Sequence, residues 1–256
     1  MAKSKYEYVK SFELADHLLP HTWIVVRIDG RSFHRFSKDH QFKRPNDEQA
    51  LRLMNECAKA VMEDISDIVF AYGVSDEYSF VFRKTSSLYE RRSSKLMSIL
   101  ASLFASTYVM KWSQFFPDKK LQYAPCFDGR AVCYPTEAIL LDYLAWRQVD
   151  CHINNQYNTC LWMLVEAGKS SEDAQKILKG TQADYKNELL YTQFGINYST
   201  LPEIFRKGSS LFRRKEEEIV KFKDGLPIKR IRSKVVVEHC DIISQQFWEE
   251  HAYIIS

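Results

Sequence analysis

Apolar side chains along this chain follow two different periods. Between residues 23 and 134, short runs rich in β-branched and aromatic residues alternate with long stretches in which apolar residues recur every three or four positions. The run Trp23-Ile-Val-Val-Arg-Ile-Asp-Gly30 reads as a buried strand that ends on an acid and a turn residue. Asp67 to Gly73 and Glu77 to Phe82 read as a hairpin, and its connection, Val74-Ser75-Asp76, sets Asp76 and Glu77 side by side. A fourth strand is predicted over Ala124 to Tyr134, with Asp128-Gly129-Arg130 as a tight turn or bulge inside it. Helical spacing follows Pro45-Asn46-Asp47 through Leu51, Met54, Ala58, Val61, Met62 and Ile65. It returns from about Tyr89 to Phe115, where Pro117 stops it.

The second half is helical by pattern. Thr136 opens one helix, and a second runs through His152 to Asn158 and on to Gly168. Ser170 to Leu178 and Tyr185 to Tyr191 are two more, with Gly180 and Gly195 as C-terminal caps, and Asp241 to His251 forms a short last helix. The stretch His-Ile-Asn-Asn-Gln-Tyr-Asn (152 to 158) is poor helix material, because Asn competes for backbone hydrogen bonds. Its side chains therefore serve either a buried polar network or a binding surface. The whole predicts an α+β fold: an antiparallel sheet backed by long helices, with a helical and basic-hairpin C-terminal part. A core over residues 1–135 and a helical region over 136–256 are expected to pack as one globular unit.

Charge changes the picture only locally. The net charge is +3, so a nucleic-acid surface must come from local concentration of cations. Residues 206 to 234 hold eleven Lys or Arg against four acids, with Lys223-Asp-Gly225 as a plausible hairpin turn. Within that basic hairpin (206–237), Arg206, Lys207, Arg213, Arg214, Lys229 and Arg230 are candidate RNA contacts. The plain alternative is a charged edge ribbon that resists aggregation. Six cysteines without a CxxC pair argue against a zinc knuckle or redox motif. No apolar run approaches the ~20 residues that cross a bilayer, which leads to the expectation of an intracellular protein, in cytosol or nucleus, without a membrane partner.

Two strands that end or turn on acids, at Asp29-Gly30 and Ser75-Asp76-Glu77, can meet at one end of an antiparallel sheet. Carboxylates brought that close repel, and hard oxygen ligands favour Mg²⁺, which takes phosphate oxygens for its remaining positions. A nucleoside triphosphate is the expected substrate. No Gly-x-x-x-x-Gly-Lys-Ser/Thr loop is present, so side chains must bind the phosphates, and Arg27, His34, Arg92 and Lys95 are the candidates. Arg91, Arg92 and Lys95 crowd a helix N-terminus, where cations oppose the dipole; either an anion lies nearby or the cluster is a bland surface one. Two ions, one activating a hydroxyl and one stabilising a leaving pyrophosphate, would carry out nucleotidyl transfer.

The motifs Arg-Ile-Asp-Gly-Arg-Ser-Phe-His (27 to 34), Pro-Asn-Asp (45 to 47), Ser-Asp-Glu-Tyr-Ser-Phe (75 to 80) and His-Ile-Asn-Asn-x-Tyr-Asn (152 to 158) together resemble the eukaryotic tRNA-His guanylyltransferases. The resemblance implies a polymerase-palm-like catalytic domain that adds a guanosine to the 5′ end of tRNA-His, in the 3′-to-5′ direction. ATP would adenylylate the 5′-monophosphate, the 3′-hydroxyl of GTP would displace AMP, and pyrophosphate would then be removed. Carried over by position, Asp29, the Gly30 carbonyl and Asp76 would hold two Mg²⁺, with Glu77 supporting. Arg31, Ser32, Phe33, His34, Ser75, Arg92 and Lys95 would contact the nucleotide, and Asn46 and Asp47 would approach the guanine base. His152, Asn155, Lys186 and Asn197 match positions linked to later steps and a second nucleotide. Gln156 stands where the family often has Leu. The resemblance also implies anticodon reading and, given the span of a tRNA, a homotetramer. The rival readings are a template-dependent 3′-to-5′ tRNA repair polymerase, a nucleotide cyclase and a non-catalytic RNA-binding module.

Overall fold

The structure is a computed structural model that describes residues 4–223 and 226–255, the side chains of 219–229 excepted. Six strands, β1 (Trp23–Gly30), β2 (Ile68–Val74), β3 (Glu77–Phe82), β4 (Phe127–Tyr134), β5 (Ser209–Lys223) and β6 (Leu226–Glu238), form one sheet. Its order is β4-β1-β3-β2-β5-β6, with every neighbour antiparallel.

Alternation decides what each face meets. Ile24, Val26 and Ile28 of β1 and Tyr78, Phe80 and Phe82 of β3 point into a core closed by α2 (Glu48–Asp64) and α3 (Ser93–Phe115). The intervening Trp23, Val25 and Val81 meet a second cluster under the first turns of α4 (Glu137–Glu166) and the short α8 (Gln245–Glu250). A third cluster joins the distal half of α4 to α5 (Ser171–Leu178) and α6 (Ala183–Phe194). Burying both faces of the sheet explains why its central strands read as near-continuous apolar runs. Two short helices, α1 (Phe33–Asp39) and α7 (Glu203–Lys207), complete the set.

Several expectations need correction. Residues 137–166 form one 30-residue helix where two were expected, because the inner Asn155 and Gln156 find tertiary partners that offset their low propensity. Asp128-Gly129-Arg130 is a regular strand segment, not a bulge: Gly129 pairs with Ile28, and a Cβ there would meet Met97 at 3.3 Å. The helix expected from Tyr89 begins at Ser93, since Tyr89, Glu90 and Arg91 have φ values of 50°, 57° and 58°. The anion at its N-terminus is Asp16, whose carboxylate accepts the Ser94 amide at 2.6 Å. Those hydrogen bonds with Ser94 hold the Asp16 carboxyl below its usual range.

The basic hairpin joins the sheet directly, for β5 pairs with β2 and so extends it. Asp224 and Gly225, the expected turn, lie outside the described residues, as does the side chain of Lys229. Among the described residues, no helix is long and apolar enough to cross a membrane.

Candidate active site

Strand register builds a row of acids. Asp29 stands opposite Glu77 on one side and Asp128 on the other, so three carboxylates lie abreast on β3, β1 and β4. The β2–β3 turn adds Asp76, and the Gly30 amide donates to its carbonyl at 3.1 Å, which fastens the turn to the end of β1. Ser32 and Ser75, beside these acids in sequence, both take left-handed backbone, with φ of 57° and 54°. Such conformations cost about 1 kcal/mol each and persist where surrounding structure imposes them. Gly30 cannot carry a side chain: a Cβ would lie 2.5 Å from the Phe33 ring and 3.0 Å from Asp76 Oδ2.

The four acids are not equivalent. Burial pushes the Asp76 carboxyl up to about 6, opposed by its 3.0 Å bond from the Ser75 hydroxyl and reinforced by the Asp29 charge. Asp29 is raised too, first by burial and then by Asp128. Glu77 is raised by burial, but arginines pair with it directly: Arg147 Nη1 donates to both its oxygens at 3.3 Å, and Arg27 Nε lies 3.5 Å from Oε2. Asp29 and Asp76 are half-buried, and among the described residues neither forms an ion pair, although the charges of Arg27, Arg130 and Arg147 act on Asp29 from further off.

Beside them opens a cleft of about 440 Å³. Phe33, His34, Ser75 and Asp76 line its palm side, Lys43 to Asp47 one rim, and Asn154, Asn155, Asn158 and Trp162 of α4 the other. Asn46 Nδ2 donates to Asn155 Oδ1 at 2.8 Å, and Asn155 donates to the Tyr198 hydroxyl at 3.0 Å, so the rim loop is latched to the helix. Across the same gap the Arg44 guanidinium sits 4.0 Å from the Trp162 ring centroid. Asp47 caps α2, accepting from the Gln49 and Ala50 amides, and also takes the Lys43 amide. Three of its roughly four acceptor positions are thus in use.

The structure gathers Phe33, His34, Asn46, Asp47, Ser75, Asp76 and Asn155 around this cleft, and Asp29 and Gly30 adjoin it through Asp76. It separates others from this cleft. Arg27 faces Glu77; Arg92 Nε reaches the Tyr89 carbonyl at 3.4 Å; and Lys95 lies 4.8 Å over the Tyr89 ring. Arg31 is exposed, its amide bonded to the Cys126 carbonyl. His152, Asn197 and Arg206 line a second, shallower hollow, where burial and then Arg206 lower the His152 pKa. Lys186 is buried and donates to the Thr181 carbonyl at 2.8 Å, which makes it a fastener between α5 and α6 and not a member of either hollow. Arg147, Asp128, Trp162 and Asp16 went unmarked in the sequence, and only Asp128, in an Asp-Gly pair like that of Asp29, carried any local signal.

The ribbon differs from expectation. Arg213 is not a surface cation: its guanidinium is turned inward onto the backbone carbonyls of Met62, Ile65 and Ile68. Arg214 pairs with Glu238, Arg232 with Glu218 and Lys234 with Glu216. Lys207 pairs with Glu203, and Arg206 donates to the Leu201 carbonyl, whereas Arg230 is exposed.

Comparison with known proteins follows the same outline. Residues 6–135 match the family described as tRNAHis guanylyltransferase, and residues 138–244 match its C-terminal domain. Two Arabidopsis thaliana relatives, tRNA(His) guanylyltransferases 1 and 2, are each 61% identical over the whole of this chain, which spans 44% and 48% of their lengths. A Mus musculus relative, a probable tRNA(His) guanylyltransferase, is 51% identical over the whole chain and is itself 89% covered. The crystal structure of tRNA(His) guanylyltransferase from Saccharomyces cerevisiae superposes with a TM-score of 0.77 at 44% identity, covering 89% of this chain and 96% of that one. A bacterial guanylyltransferase-like protein in complex with ATP shares the fold at 23% identity, with a TM-score of 0.69 over 98% of this chain and 97% of its own. With an antiparallel palm-like sheet at its centre and both halves of its sequence matched, the chain belongs to the tRNAHis guanylyltransferase family.

Proposed function

We propose that this chain adds a guanosine to the 5′ end of tRNA-His, with ATP and GTP as substrates. One observation carries the reading: two half-buried carboxylates, Asp76 in the wall of a nucleotide-sized cleft and Asp29 near enough for its charge to raise Asp76, are both shifted toward protonation. The family supplies the substrate class, and related bacterial proteins are described in complex with ATP and with GTP.

The donor set fits Mg²⁺. Among the described residues no group of three or more His, Cys, Asp or Glu is arranged to hold a metal. Mg²⁺, however, needs only one or two carboxylates and takes phosphate oxygens besides. Asp29, Asp76 and the Gly30 carbonyl would hold it. When bound, it supplies charge neutralisation for in-line attack at phosphorus. The rest falls to the chain itself. His34 and the Ser75 hydroxyl face the cleft where a triphosphate would lie, and the Asn46–Asn155 latch fixes the rim against which a base would rest. Adenylylation, displacement of AMP by the GTP 3′-hydroxyl, and pyrophosphate removal need no protein nucleophile. Reading of a tRNA at both acceptor end and anticodon calls for a homotetramer, and the site of action is the cytosol or nucleus.

Incubation with unfractionated tRNA, ATP and GTP labelled in the guanosine tests this reading. One tRNA, identified by sequencing as tRNA-His, should gain label at its 5′ end, in an ATP-dependent manner when the end is a monophosphate. Absence of label from every tRNA would overturn the assignment, and multiple additions templated on truncated tRNAs would shift it to repair. Sedimentation at micromolar concentration checks the tetramer.

A further inference from the structure

Glu77 stands next to the carboxylate pair in sequence and opposite Asp29 in register, yet it faces a different set of partners. Side chains at paired positions of an antiparallel sheet share a face, so Asp128, Asp29 and Glu77 crowd one side of the sheet. That side is covered by α4, as the 2.7 Å contact between the Ser79 and Tyr143 hydroxyls shows two residues further along β3. An unpaired Glu77 carboxylate there would add a further negative charge, beside Asp29, Asp76 and Asp128, to a site that has to admit a triphosphate.

Arg147 of α4 meets this charge. Its side chain is 7% exposed and that of Glu77 13%. Besides the two 3.3 Å contacts with Glu77, its Nη1 lies 3.7 Å from Asp150 Oδ2, and the guanidinium carbon is 3.4 Å from the Trp146 ring centroid. Held on three sides, this buried cation has little freedom to follow a ligand. Arg27 approaches the same carboxylate at a longer 3.5 Å and is more exposed, at 18%.

We infer that Arg147 is a positioning residue for the reaction: by closing an ion pair on Glu77 it withdraws that carboxylate from the site and leaves Asp29 and Asp76 to face the ligand. The inference rests on the guanylyl-transfer reading for its role in catalysis, but its charge argument concerns nucleotide binding alone. Removing Arg147 leaves Glu77 with the longer Arg27 contact and so returns part of its charge to the site; removing both partners relieves that excess, because a buried pair replaced on both sides leaves neither of its own ions uncompensated.

The test is a double-mutant cycle on the full chain, with GTP affinity measured by equilibrium dialysis in magnesium-containing buffer. Arg147→Met should weaken GTP binding by about tenfold, within the coupling found among members of one ion-pair network. Arg147→Lys should retain affinity to within about threefold, and Glu77→Gln with Arg147→Met should return to about the same level. In tRNA assays Arg147→Met should raise the GTP KM more than it lowers kcat, a split that general loosening of the fold would not give. A double variant as weak as Arg147→Met, or Arg147→Met with unchanged affinity, would overturn the inference. Should Arg147→Met fail to fold, the double variant decides alone: folded with near wild-type affinity supports the inference, and folded with about tenfold weaker binding refutes it. A wild-type chain that binds GTP yet labels no tRNA would sink the proposed function while the binding cycle still judges Arg147; one that binds no GTP overturns both.

Discussion

Two regions of this molecule concentrate charge, and they treat it in opposite ways. At the tips of β1 and β3 the acids Asp29 and Asp76 are half-buried, shifted toward protonation and, among the described residues, in no ion pair. Along β5 and β6, Arg214, Lys234 and Arg232 are set against Glu238, Glu216 and Glu218 in a ladder open to solvent. Density of charge in the sequence did not distinguish the two. Compensation does: a half-buried pair of like charges without an ion-pair partner is held in place by surrounding structure and invites a ligand, whereas a compensated exposed ladder already has its partners.

The largest effect should come from the uncompensated end. Asp29→Ala or Asp76→Ala should lower AMP and guanosine transfer by about a thousandfold or more, the scale of losing aimed electrostatic stabilisation. Circular dichroism should show a folded chain, and robust transfer by either variant would place the two regions on equal footing. Next comes Arg213, a half-buried ribbon cation turned onto the backbone. Arg213→Met should cost about 3 kcal/mol in urea unfolding, because three carbonyls at the end of α2 and the start of β2 lose their donor.

A smaller effect is a gain. The Asp76 carboxyl titrates at about 6 in the folded chain against 3.8 ordinarily, so the folded state binds more protons across that window. Stability of the metal-free protein should therefore fall as pH rises from about 4 to about 6 and stay lowered above it. Asp76→Asn should flatten that dependence and add about 2 kcal/mol at pH 7, read as a higher Tm in chelator. The smallest effect belongs to the ladder. Gln at Arg214, Arg232 and Lys234 should change stability by less than about 1 kcal/mol per pair. The salt slope of tRNA binding should shift by less than about one per residue; a full unit each would mean that the ladder opens on RNA and the contrast fails.

What could be read in the sequence was what local chemistry decides. Asp29-Gly30 at a strand end, Ser170 as an N-cap and Gly195 in left-handed conformation at the end of α6 follow from neighbours a few residues away. The family motifs added Asn46 and Asn155, which share a hydrogen bond across 109 residues of chain. The missed features are long-range. Asp16 caps a helix 78 residues on, Arg147 answers Glu77 from 70 residues away, and Arg213 finds its carbonyls 145 and more residues back. The single long helix was split in expectation because Asn-rich composition argues locally against it, while its inward polar groups are satisfied only by the folded whole.

That helix also works as a gauge. Arg147, which answers the sheet, and Asn155, which latches the rim of the cleft, lie on one uninterrupted rod, eight residues and so about 12 Å apart along its axis. At 3.6 residues per turn, one residue inserted between them would swing the latch by about 100° relative to the ion pair. A change of length between 147 and 155 would thus uncouple the ion pair from the latch, whereas one beyond Ala167, where the helix has ended, would leave their relative angle unchanged.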